Sequence, residues 1–269
     1  MISFKHTFVL AGLLASPSPA SASDTLTGDM IADHMQARAE GQAVERTLHM
    51  TLADKKGRIR ERTATVLRRQ NGDQKETVIR FTEPRSVKGM AFLTHDRVDP
   101  ALEDEQWLYL AAVRKVRRIP ASDRGDYFLG TDFTYNDVKE ELKFEPQDYI
   151  FKFESSYMEA GKQFHRISGT PSSDTTAKEL GYGAFKAVVA AESWMPVDIE
   201  FFDIGGKPLK HITVQDVRLV DGIWSPRKIG VTNLQTGHST QFTYSDIDYS
   251  VTLTDADFSA SGLKSGRGR

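Results

Sequence analysis

DEQWLYLAAVRKVRRI, residues Asp104 to Ile119, sets Trp107, Leu108, Tyr109 and Leu110 just before four cations, Arg114, Lys115, Arg117 and Arg118. In an extended chain successive side chains point to opposite faces. Trp107 and Tyr109 then share one face. Lys115, Arg117 and Ile119 fall on one side of the following segment, and Arg114, Val116 and Arg118 on the other. An aromatic strand returning through a charged one reads as a hairpin of an antiparallel sheet.

The same reading extends outward in both directions. Leu48, Met50 and Leu52 alternate with polar residues, and Lys56-Gly57 turns the chain into Arg58–Arg69. Asn71-Gly72 is a strong hairpin signal leading into Thr77–Thr82, and Pro84 and Gly89 bracket a loop before Met90–His95. Beyond the opening stretch, Tyr149–Glu154, Phe164–Thr170, Ala184–Glu192 and Pro196–Asp203 read as strands. Gly205-Gly206, Asp221-Gly222 and Thr236-Gly237 turn the chain into Leu209–Leu219, Trp224–Asn233 and Thr240–Tyr244. This pattern predicts about ten or eleven short antiparallel strands. One helix is expected, Leu26 to Ala39, with Thr27 as N-cap and Met30, Ile31, His34 and Met35 at helical spacing.

The chain has 269 residues, 39% hydrophobic and 27% charged, with 35 Lys+Arg against 37 Asp+Glu. That mild acidity gives no global reason to bind polyanions. Lys5, the apolar run Phe8–Ala15 and Ala20-Ser21-Ala22 form the three parts of a secretory signal peptide over residues 1–22. The absence of cysteine excludes disulfides, thiolate chemistry and an acylated N-terminal cysteine. The expected organisation is a signal peptide, one domain over 23–258, and a Gly/Ser/basic tail over 259–269 that frays.

Little in the chain points to catalysis. The seven histidines show no zinc-like spacing, and His95-Asp96 with Asp99 is expected at a solvated turn. No nucleophile elbow, P-loop or dinucleotide fingerprint occurs, so the sequence favours no enzyme, metal or cofactor. Two readings compete for the cations. They could dock on anionic lipid, where four supply at most ~4 kcal/mol. Alternatively Asp104, Glu105, Asp123, Asp126 or Asp132 could neutralise them across neighbouring strands. Nucleic acid fits poorly, because alternation splits the cluster between faces.

A highly curved sheet of this size encloses more space than its own side chains fill. The N-terminal helix, the loop Pro120–Asn136 or a ligand must occupy it, and Phe128, Phe133 and Tyr135 in that loop are surplus to strand packing. Two uses of those residues stand level: plugging the sheet, or lining a cavity.

D-x-Q-W-L-Y-L (Asp104–Leu110), R-K-V-R-R-I (Arg114–Ile119) and F-L-G-T-D-F-T-Y-N-D (Phe128–Asp137) resemble the outer-membrane lipoprotein-sorting-like family, the LolA/LolB-like periplasmic proteins. The closer likeness is to the subgroup associated with RND/MMPL-type exporters. Phe201–Lys207, Asp221–Pro226 and Gln235–His238 extend the resemblance over most of the chain, though Leu110-Ala111-Ala112 replaces the family's Leu-Pro-Ala. The resemblance implies an unclosed β-barrel whose helix and loop cover an apolar cavity that receives acyl chains. It implies a freely diffusing periplasmic carrier for a lipid or lipoprotein, accessory to an exporter or to outer-membrane delivery, with no catalysis and no cofactor. The other role it allows is an envelope-stress sensor. Candidate cavity residues are Met50, Leu52, Phe81, Phe92, Trp107, Tyr109, Phe128, Phe133 and Phe153, with Met30, Ile31 and Met35 on a lid helix. Arg114, Arg117 and Arg118 are candidates for contact with a partner, a membrane or a headgroup.

Overall fold

The computed structural model describes residues 25–97, 99 and 101–265. The expected signal peptide therefore lies outside the described residues, as does the end of the tail.

Alternating segments separated by tight turns give a meander, and the chain forms two. The first comprises β1 (Ala43–Ala53), β2 (Ile59–Asn71), β3 (Gln74–Glu83), β4 (Ala91–Arg97), β5 (Glu105–Leu110) and β6 (Lys115–Ile119). The second comprises β7 (Tyr149–Glu159), β8 (Lys162–Pro171), β9 (Ala184–Ala190), β10 (Met195–Phe202), β11 (Pro208–Val220), β12 (Ile223–Asn233) and β13 (Ser239–Asp248). Pairing of β1 with β13 welds them into one antiparallel sheet of 13 strands, rather than the ten or eleven expected, ordered β6 through β1 and then β13 through β7. The turns at Gly57, Gly72, Gly206, Gly222 and Gly237 join consecutive strands as expected. At Gly72 the backbone has φ 62°, which glycine adopts without the clash a Cβ would bring.

The sheet does not close. Its edges are β6 and β7, consecutive in sequence yet at opposite ends of the sheet, joined by residues 120–148. Curling follows from two neighbouring residues in that connection. Tyr135 lies 5.4 Å from the Phe92 ring on β4. Thr134 Oγ1 lies 3.4 Å from the Tyr182 hydroxyl, whose ring stacks on Phe201 of β10 at 4.2 Å. Strands β4 and β10 are seven steps apart in the sheet, about 34 Å if it were flat. Adjacent residues can reach both only if the sheet wraps around them.

The inner face follows strand alternation. Val44, Leu48, Met50 and Leu52 of β1 and Ala64 and Val66 of β2 are buried together, and Arg46 and Arg68 occupy the same faces of those strands. A smaller cluster covers the outer face of β3–β5. Val78, Ala91, Leu93 and Tyr109 pack there against Phe258 and Leu263. Residues 259–265 belong to the stretch whose composition suggested fraying. They end in a helical turn, α4 (Gly262–Ser265), whose Leu263 is fully buried and whose carbonyl accepts from Arg80 at 3.1 Å. His95, expected at a turn, lies within β4 with Nε2 2.9 Å from the Phe258 carbonyl.

Among the described residues there are three more α-helices: α1 (Gly28–Gln36), α2 (Tyr135–Glu140) and α3 (Asp174–Leu180). Thr27 caps α1 as expected, accepting from the Met30 N–H at 3.1 Å. Gly28 sits so close to β7 that a Cβ would come within 2.7 Å of the Lys152 nitrogen. The helix so packs against the edge strand at that point, while His34 stacks on Trp194 at 4.2 Å.

Candidate functional site

Residues 120–148 form a plug on the inner face. Phe128 meets Phe92 at 5.2 Å, Phe133 meets Phe242 at 4.3 Å, and Phe144 stacks on Phe185 at 4.0 Å. With Tyr135, Val138 and Leu142, six apolar plug side chains are buried in the main core. At about 2 kcal/mol for each buried side chain, they contribute roughly 12 kcal/mol as an upper bound.

Polar anchors hold the plug as well. Thr134 and Asp137 cap α2 reciprocally, which orients Asp137 toward the fully buried Lys210 of β11; the Tyr182 hydroxyl donates to the same carboxylate at 2.8 Å. Burial lowers the Lys210 ammonium below its ordinary range, outweighing the pull of Asp137. The Thr240 hydroxyl on β13 donates to Asp132 at 2.8 Å. Glu141 receives Arg46 from β1 and Arg68 from β2, whose charges overcome burial and hold its carboxyl below the usual range. Lys139 bridges Glu140 and Asp104. Burial raises the Glu140 carboxyl to about 7, and burial with the nearby Glu140 charge raises Asp148 to about 6.

Between plug and sheet lies a cavity of about 50 Å³, lined by apolar side chains including Val66, Ile79, Phe133, Ile199, Phe201 and Phe242. Sites for small organic ligands typically measure roughly 300–1,000 Å³. With the plug seated, only a few water molecules fit.

The sequence candidates separate into groups. Phe133 lines this cavity. Ile31, Met35, Met50, Leu52, Phe81, Phe92 and Phe128 are buried in the same core around it, and Met30 and Phe153 are half-buried. Trp107 and Tyr109 are on the wrong face: they pack outward with Val116, Phe258 and Leu263, and their neighbour Leu108 points inward. Nor does α1 line the cavity, because it docks on β7. Arg117 pairs with Asp123 at 3.0 Å and Arg118 with Glu103 and Glu105 at 3.7 Å, while Arg114 is exposed. These pairs follow the neutralisation reading, and at such exposure each contributes about 1 kcal/mol or less. Sequence reasoning missed Arg46, Arg68, Asp137, Glu141 and Lys210. Arg46 carried a signal, a cation in register with Val44, Leu48 and Met50 on an otherwise apolar strand face.

Among the described residues no group of side chains could hold a metal ion. Ser156 Oγ lies 2.7 Å from His165 Nδ1, but that ring stacks near Trp194 and has no carboxylate partner among the described contacts.

An unclosed antiparallel sheet wrapped around an apolar, plugged interior defines a class of fold, and that fold is LolA-like. The chain belongs to the family whose model, described as an uncharacterized protein, matches residues 73–265. A candidate outer membrane lipoprotein-sorting protein domain from Vibrio parahaemolyticus shares 29% identity at a TM-score of 0.78, covering 88% of this chain and 98% of that one. A DUF1329 family protein from Desulfovibrio piger is 22% identical at a TM-score of 0.79, covering 88% and 97%. A LolA superfamily protein from Nitrosomonas europaea is 18% identical at a TM-score of 0.65, covering 88% and 99%. No curated protein matches the chain.

Proposed function

We propose that the protein is an exported, periplasmic carrier that takes acyl chains of a lipid or lipoprotein into the space the plug occupies. The observation that carries this reading is a largely apolar plug filling the inner face of a sheet that does not close. Six plug side chains are sheltered on the inner face, worth roughly 12 kcal/mol. Withdrawing an acyl chain of about 16 carbons from water is worth a similar ~12 kcal/mol, at 0.8 kcal/mol per CH₂. Burial of a chain then offsets the apolar part of displacing the plug, which the polar anchors otherwise hold. Similarity to the lipoprotein-sorting domain supports the same cargo class. The resemblance of Asp104–Ile119 to exporter-associated relatives supports service beside an RND/MMPL-type exporter.

Native mass spectrometry with lipid extraction after periplasmic expression tests the reading. Co-purifying lipid, or binding of an apolar fluorescent probe, is expected. Recovery of neither would refute carriage.

A further inference from the structure

Next to the apolar cavity lies a second, polar pocket, and Glu141, Ile229 and Tyr244 line both. Its charged walls are Arg38, Arg46, Arg68, Glu40 and Glu141. Arg46 and Arg68 are each only 4% exposed, which is costly for a guanidinium unless its donors are used. Two of the donors are unused: Arg46 Nε and Arg38 Nη1 are buried without an acceptor. The Arg46 guanidinium also lies 4.2 Å over the Tyr244 ring, which fixes its plane at the boundary between the two pockets.

Glu141 is the plug's contribution to this pocket, and its carboxylate sits between Arg46 and Arg68. Lys143, also from the plug, neutralises part of Glu40 at 3.2 Å. If the plug withdraws, both leave together. The charges of Glu141 and Lys143 cancel, so the excess of two positive charges is unchanged; withdrawal instead frees the Arg46 and Arg68 donors that Glu141 had engaged and leaves Glu40 as the one acid on the walls. A single carboxylate would neutralise half of that excess, whereas a phosphate carries one to two negative charges and offers oxygens to three guanidinium forks.

We propose that Glu141 holds the place of an anionic headgroup, and that Arg38, Arg46 and Arg68 bind the phosphate of a lipid whose acyl chains enter the adjoining cavity. This rests on the acyl-carrier reading of that cavity. It adds a head-and-tail polarity to the cargo and couples arrival of the head to departure of the plug, because the carboxylate and the phosphate need the same two arginines.

The test measures binding of pyrene-labelled phosphatidic acid and pyrene-labelled diacylglycerol with identical chains, with calorimetry of glycerol 3-phosphate alongside. For the unmodified protein, phosphatidic acid is expected to bind about ten-fold or more tighter than diacylglycerol, the scale of one added set of charge-assisted hydrogen bonds. Glycerol 3-phosphate should bind weakest, since it lacks the acyl part. In Arg38→Gln and Arg46→Gln the ratio between the two lipids should fall toward unity. Arg38 is the less buried of the two and anchors no strand, so Arg38→Gln keeps the test decisive should Arg46→Gln fail to fold. Equal binding of both lipids by the unmodified protein would overturn the headgroup site and leave carriage standing. A preference that survives Arg38→Gln would also overturn it. Glycerol 3-phosphate binding as tightly as phosphatidic acid would indicate a site for free phosphate esters and overturn the lipid assignment. Failure of both lipids to bind would remove the carrier reading together with this one.

Discussion

Asp137 shows how much one side chain can hold. It caps α2, accepts from Tyr182 and neutralises Lys210, which is 0% exposed. Asp137→Ala would strand a buried ammonium, at a cost of about 3–5 kcal/mol. The urea midpoint should fall accordingly, and Asp137→Ala combined with Lys210→Met should recover most of the loss, because an apolar pair of similar volume needs no partner. Glu140 makes the opposite case, a carboxyl buried at a loss. Folded, it keeps its proton up to about pH 7; unfolded, it releases it near the ordinary 4.5. The folded chain therefore holds a proton the unfolded chain has lost, so this contribution is present at low pH and disappears as pH rises through 7. Asp148, raised to about 6 from 3.8, acts in the same sense, while His165, lowered by burial, opposes it. Comparison with Glu140→Gln isolates the one group. Relative to the unmodified protein the variant should gain about 2–3 kcal/mol in denaturant unfolding between pH 5 and pH 8.

At the scale of elements, the plug and α1 have different attachments and should respond to different changes. The plug is held on many strands, and under the proposed carriage an entering acyl chain requires it to leave. Asp132 and Thr240 already touch, at 2.8 Å, and the chain has no native cysteine. A disulfide between Asp132→Cys and Thr240→Cys should therefore abolish binding of an apolar probe and release it on reduction. Unchanged uptake by the oxidised variant would exclude plug movement as the entry route. Helix α1 depends instead on the absence of a side chain at Gly28, where a Cβ would meet β7 backbone at 2.7 Å. Gly28→Val should detach it, seen as faster amide exchange in α1 and along β7, with the rest of the sheet protected.

These elements differ in how readable they were. The Asn71-Gly72 turn and the Thr27 cap were legible because their chemistry is local. Alternation correctly split Trp107 from Leu108, but a period of two does not say which face is inside. That choice is made by Phe258 and Leu263, some 150 residues downstream. Helix α2 is six residues long, too short for a helical period to emerge. The contact of Arg46 with Glu141 spans 95 residues, so only the misplaced cation on β1 hinted at it.

For the whole molecule, an open sheet has two edges to protect, and it treats them differently. On β7 the edge meets α1 closely at Phe151 and Lys152. On β6, five residues long, Lys115, Arg117 and Arg118 are exposed, and charge on a short edge discourages pairing with another chain. Replacing Arg117 and Arg118 together with valine should promote self-association, visible as concentration-dependent mass in light scattering. A mass unchanged from that of the unmodified protein would show that the cations serve something other than edge protection.

The route of residues 120–148 from β6 to β7 has a last consequence. Both ends of the plug are covalently fixed to the two margins of the sheet it fills. It cannot diffuse away, so any guest competes against an internal rival whose effective concentration stays high, on the order of millimolar or above for a short tether. Apparent affinity for a guest is then its intrinsic affinity reduced by the fraction of time the rival is absent. Such a protein resets itself: once a guest departs, refilling is a unimolecular event that needs no second component and no energy source.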